Sequence, residues 1–213
     1  MKNKVLVFDL DGTVLDTFLL IEKTVYKTFE EKLPNYPLTL EEAHAFFGPL
    51  LNDSFSKYAS TKEEIDDLVS TYRRINHELM DEYTRLYDRI DEVIFTLKNR
   101  GYIIGILSNK ATNAVVRGLD IFNIRGLFDF IVGVDQLAKP KPDPRGLLDI
   151  IEKYNPTEIY MIGDTIIDIN TGQSANVSTI GVTWCKTSRE EFEKNKATYI
   201  VEKPIELLEI LGG

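Results

Sequence analysis

The sequence predicts an α/β fold: a parallel sheet flanked by helices, with a small helical domain inserted after the first strand. Three observations carry this. Short β-rich apolar runs recur at Lys4–Phe8, Ile103–Leu107, Phe130–Val134, Ile159–Ile162 and Thr179–Val182. Helical patterns separate the later runs, and strands alternating with helices build a parallel sheet. From about Thr17 to Thr84 the alternation stops and consecutive helical patterns take over.

Each element has its own reason. None of the five runs alternates with polar residues, which suits strands buried on both faces. In the inserted stretch Phe18, Ile21, Val25 and Phe29 fall on one helical face, as do Ile65, Leu68, Tyr72, Ile75, Leu79, Tyr83 and Leu86. Thr39…Glu42 and Thr61…Glu64 have the spacing of capping boxes, which open helices. Gly48-Pro49 and the Pro34–Pro37 segment punctuate the helices. Downstream, Asp91–Arg100 ends at Gly101, a helix C-terminal signal, and Gly146–Tyr154 lies between Pro144 and Pro156. The expected division is a core of residues 1–16 and 85–213 with a helical domain at 17–84.

Bulk properties exclude several classes. A net charge of -9, with no basic stripe, argues against a nucleic-acid partner. No apolar stretch reaches membrane-spanning length, and Asp9 and Asp11 interrupt the N-terminal run, which does not read as a signal peptide. A single cysteine, Cys185 beside Trp184, forms no internal disulfide and reads as a packed small residue in a reducing compartment. A cytoplasmic location is the expectation. Nothing in the sequence fixes the oligomeric state.

Four polar clusters follow four of the predicted strands: Asp9-Leu10-Asp11-Gly12-Thr13, Ser108-Asn109-Lys110, Lys139-Pro140-Lys141-Pro142-Asp143 and Gly163-Asp164 through Asp168. In a parallel sheet these strand ends share one edge, where open α/β folds bind ligands. Clustered carboxylates repel unless a cation joins them, and their oxygens suit a hard cation, Mg²⁺ being the usual partner of phosphate substrates. Neither phosphate-binding glycine loop, G-x-x-x-x-G-K-[ST] or G-x-G-x-x-G, is present. His44 and His77 both lie in the helical insertion, so Ser108 has no histidine base in its cluster.

In order and across the whole chain, these clusters resemble the four motifs of the haloacid dehalogenase (HAD) superfamily. By average residue usage the first motif alone would arise by chance in about one chain in a thousand of this length. Phe47-Gly48-Pro49-Leu50, Asp53-Ser54-Phe55-Ser56 and Asn76-His77 further resemble that superfamily's inorganic pyrophosphatases, beside its bacterial phosphoglycolate phosphatases. The resemblance implies a Rossmann-like core with a helical cap, and a phosphohydrolase working through an aspartyl-phosphate. Asp9 is then the nucleophile and Asp11 the acid and base; Asp9, the Asp11 main-chain carbonyl and Asp164 hold Mg²⁺. Gly12, Thr13, Ser108 and Asn109 surround the phosphoryl group, and Lys141 neutralises it. Lys139 is the other candidate lysine; placing an apolar residue, Leu147, six positions after the lysine favours Lys141.

Asp168 is expected one helical turn from Asp164, orienting the lysine or metal-bound water, or simply serving as a helix N-terminal acid. Asp16 is read equally as a substrate contact or a helix cap, and Lys110 as a phosphate contact or a surface charge. Asn76 and His77 are candidates for the substrate pocket, with a solvated or core histidine as the plainer reading. Asp88-Arg89 stands where the family usually has Pro-Gly, and Asn176 where it has glycine. Phosphoglycolate, inorganic diphosphate and other small metabolite phosphates all stay open as substrates. The rival readings are a phosphomutase, a non-enzymatic phosphate- or partner-binding relative, and a dehalogenase.

Overall fold

The computed structural model describes residues 3–212. The chain divides into two compact units, Met1–Asp16 with Arg85–Gly213, and Thr17–Thr84.

In chain order the elements are β1 (Lys4–Phe8), β2 (Leu15–Asp16), α1 (Phe18–Lys32), α2 (Leu40–His44), α3 (Leu51–Phe55), α4 (Lys62–Tyr83), β3 (Arg85–Leu86), α5 (Ile90–Asn99), β4 (Ile103–Leu107), α6 (Thr112–Ile121), β5 (Phe130–Val132), α7 (Arg145–Tyr154), β6 (Glu158–Gly163), α8 (Ile166–Ser174), β7 (Ser178–Val182), α9 (Arg189–Lys194), β8 (Tyr199–Val201) and α10 (Leu207–Ile210). The first unit holds a six-stranded sheet in the order β5-β4-β1-β6-β7-β8, every pair parallel. Numbered within the sheet alone this is the Rossmann order 3-2-1-4-5-6.

Strand β1 shows why the runs lack polar residues. Val5 and Val7 point to one face, packing with Leu107, Leu147, Ile150 and Met161. Leu6 and Phe8 point to the other, among Ile94, Leu97, Ile104, Ile162 and Ile180. With period 2 and helices on both faces, every position from Val5 to Phe8 is a core position. Each such side chain contributes about 1.5–3 kcal/mol.

Three expectations need correction. The third strand ends at Val132, because residues Val134–Gln136 form a 3₁₀ turn. Leu86, read as part of a helical face, lies in β3, which pairs antiparallel with β2; α4 stops at Tyr83 and Thr84 is already extended. A sixth strand, β8, pairs with β7 although its three residues gave no strand signal.

The helical unit packs α1 against α4 over an apolar cluster that includes Phe29, Phe46, Phe55 and Tyr72. Both expected capping boxes are present: Thr39 and Thr61 accept from the main chain of Glu42 and Glu64, whose carboxylates accept in return. The buried polar side chains described in this unit are all neutral. Thr24 and Thr28 donate to carbonyls one turn back, and Asn76 donates to Thr24 Oγ1 at 3.3 Å. Among the described residues no helix is long and apolar enough to cross a membrane.

Candidate active site

In this strand order the chain runs from β1 outward through β4 and β5, then returns to β6 on the other side of β1. The switch point falls between β1 and β6, where connections leave in opposite directions and open a crevice. Asp9 follows β1 there, its N–H bonded to the Ile162 carbonyl of β6 at 2.8 Å. Asp164 follows β6.

Asp9, Asp164 and Asp168 offer carboxylate oxygens that all lie within 4.8 Å of one another. Lys141 is buried among them, with Nζ 2.6 Å from Asp168 Oδ1 and 3.0 Å from Asp9 Oδ1. Lys139 is exposed. The Lys141 main chain is clamped by the Asn109 side chain, whose Oδ1 accepts its N–H at 2.9 Å and whose Nδ2 donates to its carbonyl at 3.1 Å. This couples the second cluster to the third.

Asp168 does two things at once. Its Oδ1 takes the Lys141 ammonium, and its Oδ2 accepts from the Thr165 N–H and hydroxyl in a capping box that opens α8. The expected spacing differs, because Asp164 sits before α8 rather than one turn along it. Gly163 makes the approach possible, since a Cβ there would lie 2.2 Å from Asp168 Cγ.

Asp164 is fully buried; its Oδ1 accepts from the Thr13 hydroxyl at 2.9 Å and its Oδ2 has no hydrogen-bond partner. Gly12, at φ +78°, turns the chain beside it; a Cβ at Gly12 would lie 2.2 Å from that oxygen. Burial pushes the Asp164 carboxyl well above its ordinary range, with Asp168 and Asp9 adding to the rise. Burial likewise pushes Asp9 up to about 6, Lys141 opposing it and Asp168 and Asp11 adding to it. Burial works against the Lys141 ammonium, but Asp168 and Asp9 hold its pKa above the usual lysine range.

One lysine among three carboxylates leaves excess negative charge, and Asp168 has committed both oxygens. The oxygens of Asp9 and Asp164 fit a hard divalent cation. Ser108 is buried at the end of β4, its N–H bonded to the Val132 carbonyl and its Oγ accepting from the Lys110 N–H at 3.3 Å.

The remaining candidates separate cleanly. Lys110 turns to Asp11, with Nζ 3.0 and 3.2 Å from its two carboxylate oxygens. Sequence reasoning left that lysine undecided, since the contact spans 99 positions. Asp16 lies in β2, paired with Arg85, and the N-cap of α1 is Thr17. In the helical unit Asn76 is buried against Thr24, His77 is exposed, and His44 Nε2 pairs with Glu22 at 2.8 Å. Trp184, not singled out as a site residue, donates its Nε1–H to the Thr13 carbonyl at 3.2 Å and so braces the first loop. Burial, reinforced by Asp164, pushes the Cys185 thiol up, away from nucleophilic thiolate.

Comparison with known proteins agrees with this architecture. The model of the haloacid dehalogenase-like hydrolase family matches residues 6–182. Pyrophosphatase PpaX of Bacillus mycoides is 35% identical over 214 residues, covering 100% of this chain and 98% of its own. The crystal structure of a predicted phosphatase from Clostridium acetobutylicum is 28% identical with a TM-score of 0.86, covering 100% of both chains. A predicted phosphoglycolate phosphatase from Haemophilus somnus shares the fold at a TM-score of 0.86 and 23% identity, covering 99% of this chain and 98% of its own. With the family model spanning most of its length, the chain belongs to the haloacid dehalogenase-like hydrolases and is an enzyme of their phosphatase type.

Proposed function

We propose that this enzyme is a Mg²⁺-dependent phosphohydrolase of small phosphorylated metabolites, acting through an aspartyl-phosphate on Asp9, with inorganic diphosphate as its substrate. The observation that carries the reading is the buried group at the switch point: Asp9 against Lys141, with the unpartnered Asp164 oxygen beside them. The 35% identity to Pyrophosphatase PpaX supports diphosphate.

In this reading an Asp9 oxygen attacks phosphorus and forms a P–O bond as the bond to the leaving oxygen breaks. Asp11 gives that oxygen a proton. Asp11, now a base, takes a proton from water as the water attacks phosphorus, releasing phosphate and regenerating Asp9. Lys141 and Ser108 stabilise charge on the transferring group. Asp168 and Asn109 hold Lys141 in place, and the Thr13 hydroxyl holds Asp164. Asp9, the Asp11 main-chain carbonyl and Asp164 would hold Mg²⁺, which when bound neutralises phosphoryl charge. The helical unit 17–84 serves as the cap that selects among substrates, and the enzyme works in the cytoplasm.

The test is phosphate release from diphosphate, phosphoglycolate and a panel of sugar and nucleotide monophosphates, with Mg²⁺ and with a chelator. Diphosphate turnover that the chelator abolishes, and that Asp9→Asn lowers by roughly 10³-fold or more, is the expected result. Turnover that survives either change contradicts the mechanism.

A further inference from the structure

Two lysines enter this site, and they face different carboxylates. Lys141 is held between Asp9 and Asp168, beside the proposed nucleophile. The Lys110 ammonium instead contacts both oxygens of Asp11, and its side chain is only 14% exposed.

Its main chain is fixed from two directions. The Lys110 N–H donates to Ser108 Oγ at 3.3 Å, and its carbonyl accepts from the Val134 N–H at 3.0 Å. Gly133 allows that close approach, because a Cβ there would stand 2.7 Å from the Lys110 carbonyl oxygen. An anchored stem aims the ammonium at one place.

From this we infer that Lys110 determines specificity, selecting substrates whose leaving group carries its own negative charge: a second phosphate or a carboxylate. The inference rests on the proposed role of Asp11. If Asp11 protonates the leaving oxygen, whatever that oxygen belongs to lies within a few ångströms of the Lys110 ammonium. In a mostly buried site a cation at that range discriminates strongly between a charged and a neutral group. A neutral leaving group leaves Lys110 with Asp11 alone, whereas an anionic one gives it a further partner.

The experiment compares kcat/KM for diphosphate and phosphoglycolate with that for phenyl phosphate, whose leaving group bears no charge beyond its reacting oxygen. Wild type, Lys110→Gln and Lys110→Arg are measured, with circular dichroism and thermal midpoints confirming their folds. Gln can still hydrogen-bond Asp11 but lacks the charge; Arg retains the charge.

Lys110→Gln is expected to lower all three values, and to lower those for diphosphate and phosphoglycolate at least about tenfold more than that for phenyl phosphate. Lys110→Arg recovers most of the ratio. An equal loss on all substrates would make Lys110 a support for Asp11 only and overturn the inference. So would an unchanged ratio, or a wild type that prefers phenyl phosphate. A folded wild type that hydrolyses none of the three fails before any substitution is made, and overturns the proposed function together with this inference.

Discussion

The two units bury polar groups of different kinds. In residues 17–84 the buried polar side chains are threonines, serine and asparagine, such as Thr24, Thr28, Ser54 and Asn76, in a unit whose apolar cluster is rich in aromatic rings. In the α/β unit they include Asp9, Lys141, Asp164 and Asp168, four ionisable groups gathered at one sheet edge. A neutral hydroxyl can be satisfied by a carbonyl one turn away, as Thr24 and Thr28 are. A buried carboxylate needs a cation, and one lysine is too few for three of them. The described buried polar groups of the helical unit are neutral, while the α/β unit carries unbalanced charge at the edge where we propose the chemistry takes place.

Substitutions in each unit sharpen this contrast. The largest stability effect belongs to the aromatic cluster. Phe55 is fully buried, with its ring 4.8 Å from Phe46 and 6.0 Å from Tyr72 between centroids. Phe55→Ala is expected to cost about 3–5 kcal/mol in urea unfolding. A loss below about 1 kcal/mol would show that the cluster is not the unit's core.

An opposite sign is expected at the charged edge. Asp164 has its carboxyl raised by burial, with Asp168 and Asp9 adding, well above the ordinary 3.8. A carboxyl raised on folding stabilises the fold below its unfolded value and loses that contribution as pH rises through the folded one. Metal-free Asp164→Asn should therefore be more stable than wild type at pH 7.5, by roughly 1–2 kcal/mol, with the gap closing as pH falls toward 4. Mg²⁺ should raise the thermal midpoint of wild type and leave the variant nearly unchanged. A variant that melts lower than wild type without metal would mean that Asp164 is a structural group.

The smallest change is at a helix start. Thr61→Ala removes one half of the capping box that opens α4, and about 1 kcal/mol of stability should go with it. Turnover of Thr61→Ala is the control: a loss of activity beyond that of Phe55→Ala would break the division between a stabilising unit and a reactive one.

Much of this was legible because parallel strands buried on both faces read as unbroken apolar runs, and β1, β4 and β6 begin and end close to where those runs do. Capping boxes carry their spacing openly, so α2 and α4 began where Thr39 and Thr61 said. Strand β8 was missed because Tyr199–Val201 is three residues long and takes its identity from β7 beside it. Leu86 continued a helical period that the chain abandons at Thr84. At the site, residue types after strands pointed to one edge, but spacing says nothing of where a long side chain turns. Lys110 on Asp11, Asn109 on the Lys141 main chain and Trp184 on Thr13 are contacts across 99, 32 and 171 positions, visible only once the strands are assembled.

The proposed mechanism requires that Asp9 becomes covalently phosphorylated. Acid-quenching the enzyme during turnover of diphosphate with Mg²⁺, trapping with hydroxylamine and sequencing the peptides by mass spectrometry tests it directly. A hydroxamate at Asp9, absent without substrate and absent in Asp9→Asn, is the predicted result. Turnover with no trapped species at Asp9, or with the label on another residue, would rule out Asp9 as the nucleophile.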